Sequence, residues 1–233
     1  MKRNFNKMKT DTKKQRGAGL VELMVSIAIG LILILGVSTV FFSVNKTFKD
    51  RQGLATLQGS QRMAMSFISA GIHNAGYYPN PLAVSPIAAA VVLVGTENGT
   101  TDTLAVRFVA PAVSSASAYQ GCSGSTNLTA NHVYSDTFGV SGGNLICTEK
   151  DITANTTAPV INLIAGVTGL DLLYGVDTTG AGSVTSYKTA TAATWGRVKT
   201  VRVKLSFTNP LYGQPSQPNE KYLTQTISNL TGP

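Results

Sequence analysis

The chain has 233 residues, with 19 lysines and arginines against 11 aspartates and glutamates, so its formal net charge is +8 at pH 7. Only 13% of the residues are charged and 7% are aromatic. This composition argues against a highly charged disordered chain and against an extended basic surface for nucleic acid. The length suits one ordinary domain together with an additional element.

The positive charge is concentrated at the start of the chain. The first 17 residues carry seven lysines and arginines and one aspartate, a net charge of +6, which leaves +2 for the other 216 residues. A local cluster of this kind directs topology, whereas a binding surface for polyanions would need cations spread over the folded domain.

A long apolar run follows this cluster, because residues 23–45 contain no Asp, Glu, Lys or Arg. A helix of 23 residues is about 34 Å long, and a hydrocarbon core is about 30 Å thick. The run is therefore predicted to span a membrane, with the preceding cations on the cytoplasmic side and the body exported. A cleavable secretory signal is the alternative, but its apolar region is usually only about 7 to 15 residues long.

Glu22 lies at the edge of the apolar run, five residues after Gly17 in the sequence KKQRGAGLVELMV of residues 13–25. A carboxylate at the edge of a membrane helix is costly unless it is solvated or paired. Solvation among the lipid headgroups is one interpretation of Glu22. Pairing with a cation is the other.

Residues 13–25 resemble the class III signal of type IV prepilins, in which a basic leader ends in Gly and Glu is the fifth residue after it. The resemblance implies that a prepilin peptidase cuts after Gly17 and methylates Ala18 as the new N-terminus. It also implies that Glu22 pairs with the terminal amine of a neighbouring subunit. Two features depart from the common pattern: the first mature residue is Ala rather than Phe, and the helix lacks a Pro before Pro79.

The helix is predicted to continue beyond the membrane, over residues 20–75, because no proline interrupts it. Apolar residues recur at spacings of three, four or seven and form one stripe that packs on a globular domain: Leu54, Leu57, Ala64, Ile68 and Ile72. The predicted organisation is a cleaved leader (1–17), a transmembrane and assembly helix (18–45), its amphipathic continuation (46–75) and an exported β-rich domain (76–233).

The exported part reads as short β-branched runs separated by Gly, Asn and Ser. The clearest alternation lies at Val201–Phe207, where apolar side chains share one face and Arg202 and Lys204 the other. Further strands are predicted at Val91–Val94, Thr103–Val109, Asn144–Cys147, Val160–Ile164, Val167–Tyr174 and Tyr222–Ser228. Strands after one long helix indicate an α+β fold, with the helix across a mainly antiparallel sheet. With the N-terminal signal, this architecture is type IV pilin-like.

The two cysteines, Cys122 and Cys147, both lie in the exported part. An even count in an oxidising compartment favours a disulfide. No metal site is expected, since the histidines, His73 and His132, do not form a zinc-binding spacing with them. Asp177 begins a Gly-containing segment, but one carboxylate is weak support for calcium, so a plain turn is the preferred interpretation.

The exported motifs together resemble the PilW family of minor type IV pilins. The resemblance rests on their order: residues 101–108, 121–124, 145–147, 170–177 and 195–203. It implies a minor-pilin complex that primes pilus assembly at the inner membrane, with the filament tip as a further location. The implied partners are other minor and major pilins, the prepilin peptidase and the inner-membrane assembly platform. No cofactor is expected.

Two other functions stay open. A J-type pseudopilin of a type II secretion system would carry the same N-terminal signal. A DNA-binding pilin is less favoured, because the local basic group could make only a few phosphate contacts; it comprises Arg197, Lys199, Arg202 and Lys204. An enzyme is not expected, since no nucleophile elbow, Walker loop, dinucleotide-binding motif or H-E-x-x-H motif is present.

Overall fold

The structure, a computed structural model, describes residues 19–80, 82–111, 121–124, 128–214 and 220–231. The chain divides into two compact units, Met1–Lys49 and Asp50–Pro233. In the described part, one long helix precedes ten strands. The α+β architecture that the sequence predicted, one long helix followed by mainly antiparallel strands, is confirmed.

Helix α1 extends over Leu20–His73 and contains 54 residues. No proline removes a hydrogen-bond donor along this length. The helix ends two residues before its predicted end, and Gly76 then adopts a left-handed conformation with φ of 75°. The Gly76 N–H donates to the Arg107 carbonyl at 2.8 Å, which attaches the end of the helix to the first sheet. Gly suits this position because it has no Cβ to disfavour positive φ.

The predicted apolar stripe of the outer helical segment is confirmed. Ala64, Ile68 and Ile72 are buried, and Leu54 and Leu57 are partly buried. Their spacing places them on one side of the helix, so one face enters the core of the second unit while the opposite face contacts solvent.

The strands form two antiparallel sheets. The first has the order β1-β2-β3-β4-β5, with β6 also paired to β4, and the second has the order β10-β9-β7-β8. The strand bounds are Leu93–Thr96 (β1), Thr103–Val109 (β2), Val133–Ser141 (β3), Asn144–Asp151 (β4), Thr156–Thr157 (β5), Ile161–Ala165 (β6), Val167–Val176 (β7), Ser186–Lys188 (β8), Val198–Thr208 (β9) and Tyr222–Thr231 (β10). A single core cluster combines side chains of α1 with side chains of both sheets.

Most predicted strands are present, several of them longer than predicted. The strand predicted at Val91–Val94 begins two residues later, at Leu93, because Ala89–Val91 forms a 3₁₀ helix before it. Strands β3, β5 and β8 were not predicted, and β3 is the longest of the three. Its sequence VYSDTFGVS places Ser135 and Asp136 among the apolar residues, although both are buried in the structure. These polar residues break the alternation of apolar and polar residues by which a half-buried strand is usually recognised in a sequence.

Asp102 connects the two sheets at the start of β2. It is only 4% exposed, and its N–H donates to the Leu170 carbonyl at 2.8 Å. Its Oδ2 accepts the Leu172 N–H at 2.9 Å, and its Oδ1 accepts the Asn98 N–H at 2.9 Å. These bonds satisfy a buried amide of β7 and the Asn98 amide of the preceding loop, and so align the first sheet with the second.

Candidate functional site

The apolar part of α1 is the first candidate site. Within Leu20–His73, the most apolar 18-residue window is long and apolar enough to cross a membrane by length and composition, and none of it is buried within the chain. Large apolar side chains from Leu20 to Phe48 are more than half exposed. A surface of this kind needs a lipid or protein environment, since exposed apolar patches of such extent are rare in soluble proteins.

Glu22 lies in the first turn of α1, and its side chain is exposed. A carboxylate near a helix N-terminus interacts favourably with the positive end of the helix dipole. The Glu22 carbonyl accepts the Ser26 hydroxyl at 2.8 Å, as an ordinary helical side-chain bond. Within the described residues, no ion pair involves Glu22.

The predicted cleavage and methylation sites, Gly17 and Ala18, lie outside the described residues, which begin at residue 19. Cleavage after Gly17 and methylation of Ala18 both stay predictions.

A disulfide joins Cys122 to Cys147, with a Cα–Cα distance of 6.2 Å. This pairing agrees with the one predicted from the cysteine count. The bond attaches the Gly121–Gly124 segment to strand β4. The described residues include one group of potential metal ligands, Cys122, Asp136 and Cys147. Because the two sulfurs are bonded to each other, neither is a thiolate that could bind a metal ion.

The Asp177 segment is a turn organised by one carboxylate. Its Oδ2 accepts the Gly182 N–H at 2.7 Å, and its Oδ1 accepts the N–H groups of Gly180 at 2.7 Å and Thr179 at 3.0 Å. The Gly182 bond, with the others, holds the pKa of Asp177 below its ordinary value. A calcium ion would have to displace these donors, which supports the plain glycine-rich turn.

His132 is paired rather than free. Its Nδ1 lies 2.7 Å from Asp151 Oδ2. Burial raises the pKa of Asp151, but bonds from the Ala154 N–H, His132 and Tyr134 outweigh burial, so this pKa lies below its ordinary value. His73 lies in the last turn of α1 and is exposed. The pair around His132 joins β4 to the loop before β3, which is a structural role.

Several of the local cations have partners within the domain. Lys204 Nζ lies 3.2 Å from Asp171 Oδ2, with both side chains nearly half exposed. The Arg202 guanidinium lies 4.0 Å above the centre of the Tyr187 ring. Arg197 donates to the Thr178 carbonyl at 3.1 Å. The ion pair with Asp171 offsets the charge of Lys204, whereas the contacts of Arg202 and Arg197 are with neutral groups of the domain.

Sequence reasoning missed a buried pair of acids. Asp136 on β3 and Glu149 on β4 are paired across the first sheet. They are 4% and 5% exposed, and both side chains lie beneath the Gly121–Ser123 segment. In β4, partly buried and buried residues alternate strictly, so Cys147, Glu149 and Asp151 share the buried face. Expecting Cys147 to be buried would have placed Glu149 on the buried face as well.

Two family models match the chain. Residues 132–231 match the family described as Type IV Pilus-assembly protein W. Residues 12–38 match the Prokaryotic N-terminal methylation motif, a range that contains Gly17, Ala18 and Glu22. No curated protein shows a significant sequence match to the chain.

Two solved structures show a distant likeness. The type IV-like pilin TTHA1219 from Thermus thermophilus is 12% identical, with 74% of this chain and 94% of that chain covered and a TM-score of 0.46. A chain of the GspK-GspI-GspJ complex of the type 2 secretion system from enterotoxigenic Escherichia coli is 12% identical, with 76% and 98% covered and a TM-score of 0.40. At these scores, no correspondence between individual residues follows.

Proposed function

We infer that this PilW-like chain is a minor pilin, a subunit that joins a type IV pilus through its N-terminal helix. The matching families are structural rather than catalytic. The observation that carries the inference is the methylation motif at the beginning of a helix whose apolar surface is exposed and whose first turn contains Glu22.

We propose a membrane intermediate before assembly. The basic leader stays in the cytoplasm, the apolar segment crosses the inner membrane, and the domain with the disulfide folds on the oxidising side. A prepilin peptidase then removes residues 1–17, which discards the net charge of +6. Support comes from the charge asymmetry and from the length of the apolar helix.

Glu22 is proposed to direct assembly. In a packed bundle of apolar helices, an unpaired carboxylate would be buried at a cost of several kcal/mol. The terminal amine of Ala18 in a neighbouring pilin would supply the opposite charge. Pairing therefore favours the register in which one subunit's Glu22 meets the next subunit's N-terminus. The proposed partners are other minor and major pilins and the inner-membrane assembly platform, with priming of assembly as the role.

The processing step is tested by co-expressing the full chain with a prepilin peptidase and measuring the intact mass. We expect loss of residues 1–17 and an N-methyl group on Ala18. A chain that keeps its leader would contradict the proposal. An unmethylated Ala18 would contradict the methylation alone.

The assembly step is tested with Glu22→Gln, which keeps the shape and removes the charge. We expect less of this variant in sheared pili, while the disulfide and the exported domain stay intact. Ser26→Ala, one turn further along the same helix, is the matched control and should be incorporated normally. Equal incorporation of both variants would refute a pairing role for Glu22. Loss of protein secretion with normal twitching would instead indicate a pseudopilin.

A further inference from the structure

The buried acids Asp136 and Glu149 each have one oxygen without a hydrogen-bond partner among the described residues, Oδ1 and Oε2 respectively. Both oxygens point to the same place. A Cβ added to Gly121 would overlap Glu149 Oε2 and would lie 3.6 Å from Asp136 Oδ1. The two unpartnered oxygens therefore converge beneath Gly121, which can lie there only because it has no side chain.

The same two carboxyl groups attach the segment above them. Asp136 Oδ2 accepts the Cys122 N–H at 2.8 Å, and Ser123 donates to the Glu149 carboxyl. The disulfide between Cys122 and Cys147 anchors the segment covalently. Gly121–Ser123, called the latch here, is thus attached by one covalent bond and by hydrogen bonds to both acids.

The charges around this pair are unfavourable for two carboxylates. From β2, the residue opposite Asp136 is the apolar Val106. On β4, Glu149 lies opposite Asp136. Asp151, two residues further along β4, raises the pKa of Glu149 through its charge and is itself paired with His132. The latch contributes polar donors and no cation. Among the described residues, neither carboxyl forms an ion pair with a lysine or an arginine.

Burial of two like charges opposite each other on the sheet opposes the ionisation of both. A single proton on the pair leaves one negative charge instead of two, and it turns one of the carboxyl groups into a hydrogen-bond donor where both were acceptors only. Burial raises the pKa of Asp136 to about 7, with a smaller contribution from Glu149, against the opposing Cys122 bond. Burial also raises the pKa of Glu149.

We propose that Asp136 and Glu149 bind one proton between them at neutral pH, and that the latch loosens when a rise in pH removes this proton, because two ionised carboxyls are more stable in water than buried beneath Gly121–Ser123. The disulfide keeps Cys122 attached after release, so the change is a local loosening. The exported domain thereby contains a proton site that responds to the pH outside the cell membrane.

The direction of the pH effect follows from proton linkage. The folded chain holds the proton up to about pH 7, whereas an unfolded Asp releases it near its ordinary value of 3.8. The bound proton contributes its full stabilisation below pH 3.8, and this stabilisation is lost as the pH rises through about 7. Within this window, one proton changes the unfolding equilibrium constant by up to about tenfold per pH unit.

The test uses the full chain in detergent, with denaturant unfolding at a series of pH values. We expect the unfolding equilibrium constant of the wild type to rise steeply from about pH 4 to 7. The substitutions Asp136→Asn and Glu149→Gln should each make this rise smaller. Asp171→Asn is the control, because Asp171 is a half-exposed carboxyl paired with Lys204, and it should keep the wild-type profile. A wild-type profile in Glu149→Gln would overturn the proposal.

Two further measurements do not depend on the variants being stable. Infrared spectroscopy of the wild type at neutral pH should show the carbonyl band of one protonated carboxyl, and its absence would refute the shared proton. Hydrogen exchange of the latch amides, corrected for the intrinsic pH dependence, should lose protection above about pH 7. If calcium chloride raised the melting temperature of the wild type but not that of Glu149→Gln, the pair would bind a metal ion, and the proposal would be wrong.

Discussion

Gly71 on α1 provides a direct test of how the helix packs. It is buried in the last turns of α1, and a Cβ at this position would lie 2.5 Å from Phe138 Cε2 and 2.8 Å from Phe138 Cζ. Carbon atoms in ordinary contact are about 3.5 to 4.0 Å apart, so the ring or the helix would have to move by about 1 Å. Phe138 is only 2% exposed and lies in the core, so it has little room to move.

Gly71→Ala therefore has two opposing effects on stability. Overpacking a core costs about 1 to 3 kcal/mol, whereas replacing Gly by Ala inside a helix stabilises it by up to about 1 kcal/mol. We expect a net loss of about 1 to 2 kcal/mol in the free energy of unfolding. Gly59 lies on the same helix with no atom within 4 Å of an added Cβ, so Gly59→Ala is the matched control and should be stabilising by up to about 1 kcal/mol.

The assay is denaturant unfolding of the full chain in detergent. The fluorescence of Trp195, the only tryptophan, reports on the exported domain. If Gly71→Ala were as stable as Gly59→Ala, the close packing of α1 on Phe138 would be refuted. A second substitution, Phe138→Leu, should make Gly71→Ala less harmful, because the smaller side chain leaves room for the Cβ.

Three further predictions concern the exported domain. Replacing Cys122 and Cys147 by Ser should lower the free energy of unfolding by about 3 to 4 kcal/mol, given a sequence separation of 25 residues; a loss below about 1 kcal/mol in urea titrations would contradict loop closure as the cause. Asp102→Ala should cost about 1 to 3 kcal/mol, since the buried Leu172 N–H loses its acceptor, and a neutral result in the same titration would count against the connection between the sheets. Asp177→Ala should expose the Gly180 and Gly182 amides to hydrogen exchange, and unchanged protection would show that the turn does not depend on this carboxylate.

Much of the helix and of the second sheet was predictable, because these elements are encoded by local patterns. The spacing of Ile68 and Ile72 follows from the period of the helix, and the alternation in Val201–Phe207 follows from the period of a strand. Both patterns involve neighbours in the sequence, so no tertiary information is needed to recognise them.

Strand β3 and the acid pair were not predictable in this way. Asp136 lies between two polar residues of β3, and in the fold it accepts the Cys122 N–H and lies opposite Glu149. Both contacts depend on the strand register and on the disulfide, which bring together residues far apart in the chain. Similarly, nothing in the sequence around Asp102 indicates that its carboxylate accepts a hydrogen bond from the Leu172 N–H, 70 residues away.

The residue order alone was enough to predict the membrane segment, its direction and the pairing candidate Glu22. Each depends on composition over a short stretch, and a lipid bilayer acts on such a stretch without reference to the rest of the fold. Folding was needed to decide which acids lose contact with water and which carboxyl oxygens meet. Burial and close approach exist only once the sheets have formed, and they change an ordinary carboxyl group into one that holds a proton at neutral pH.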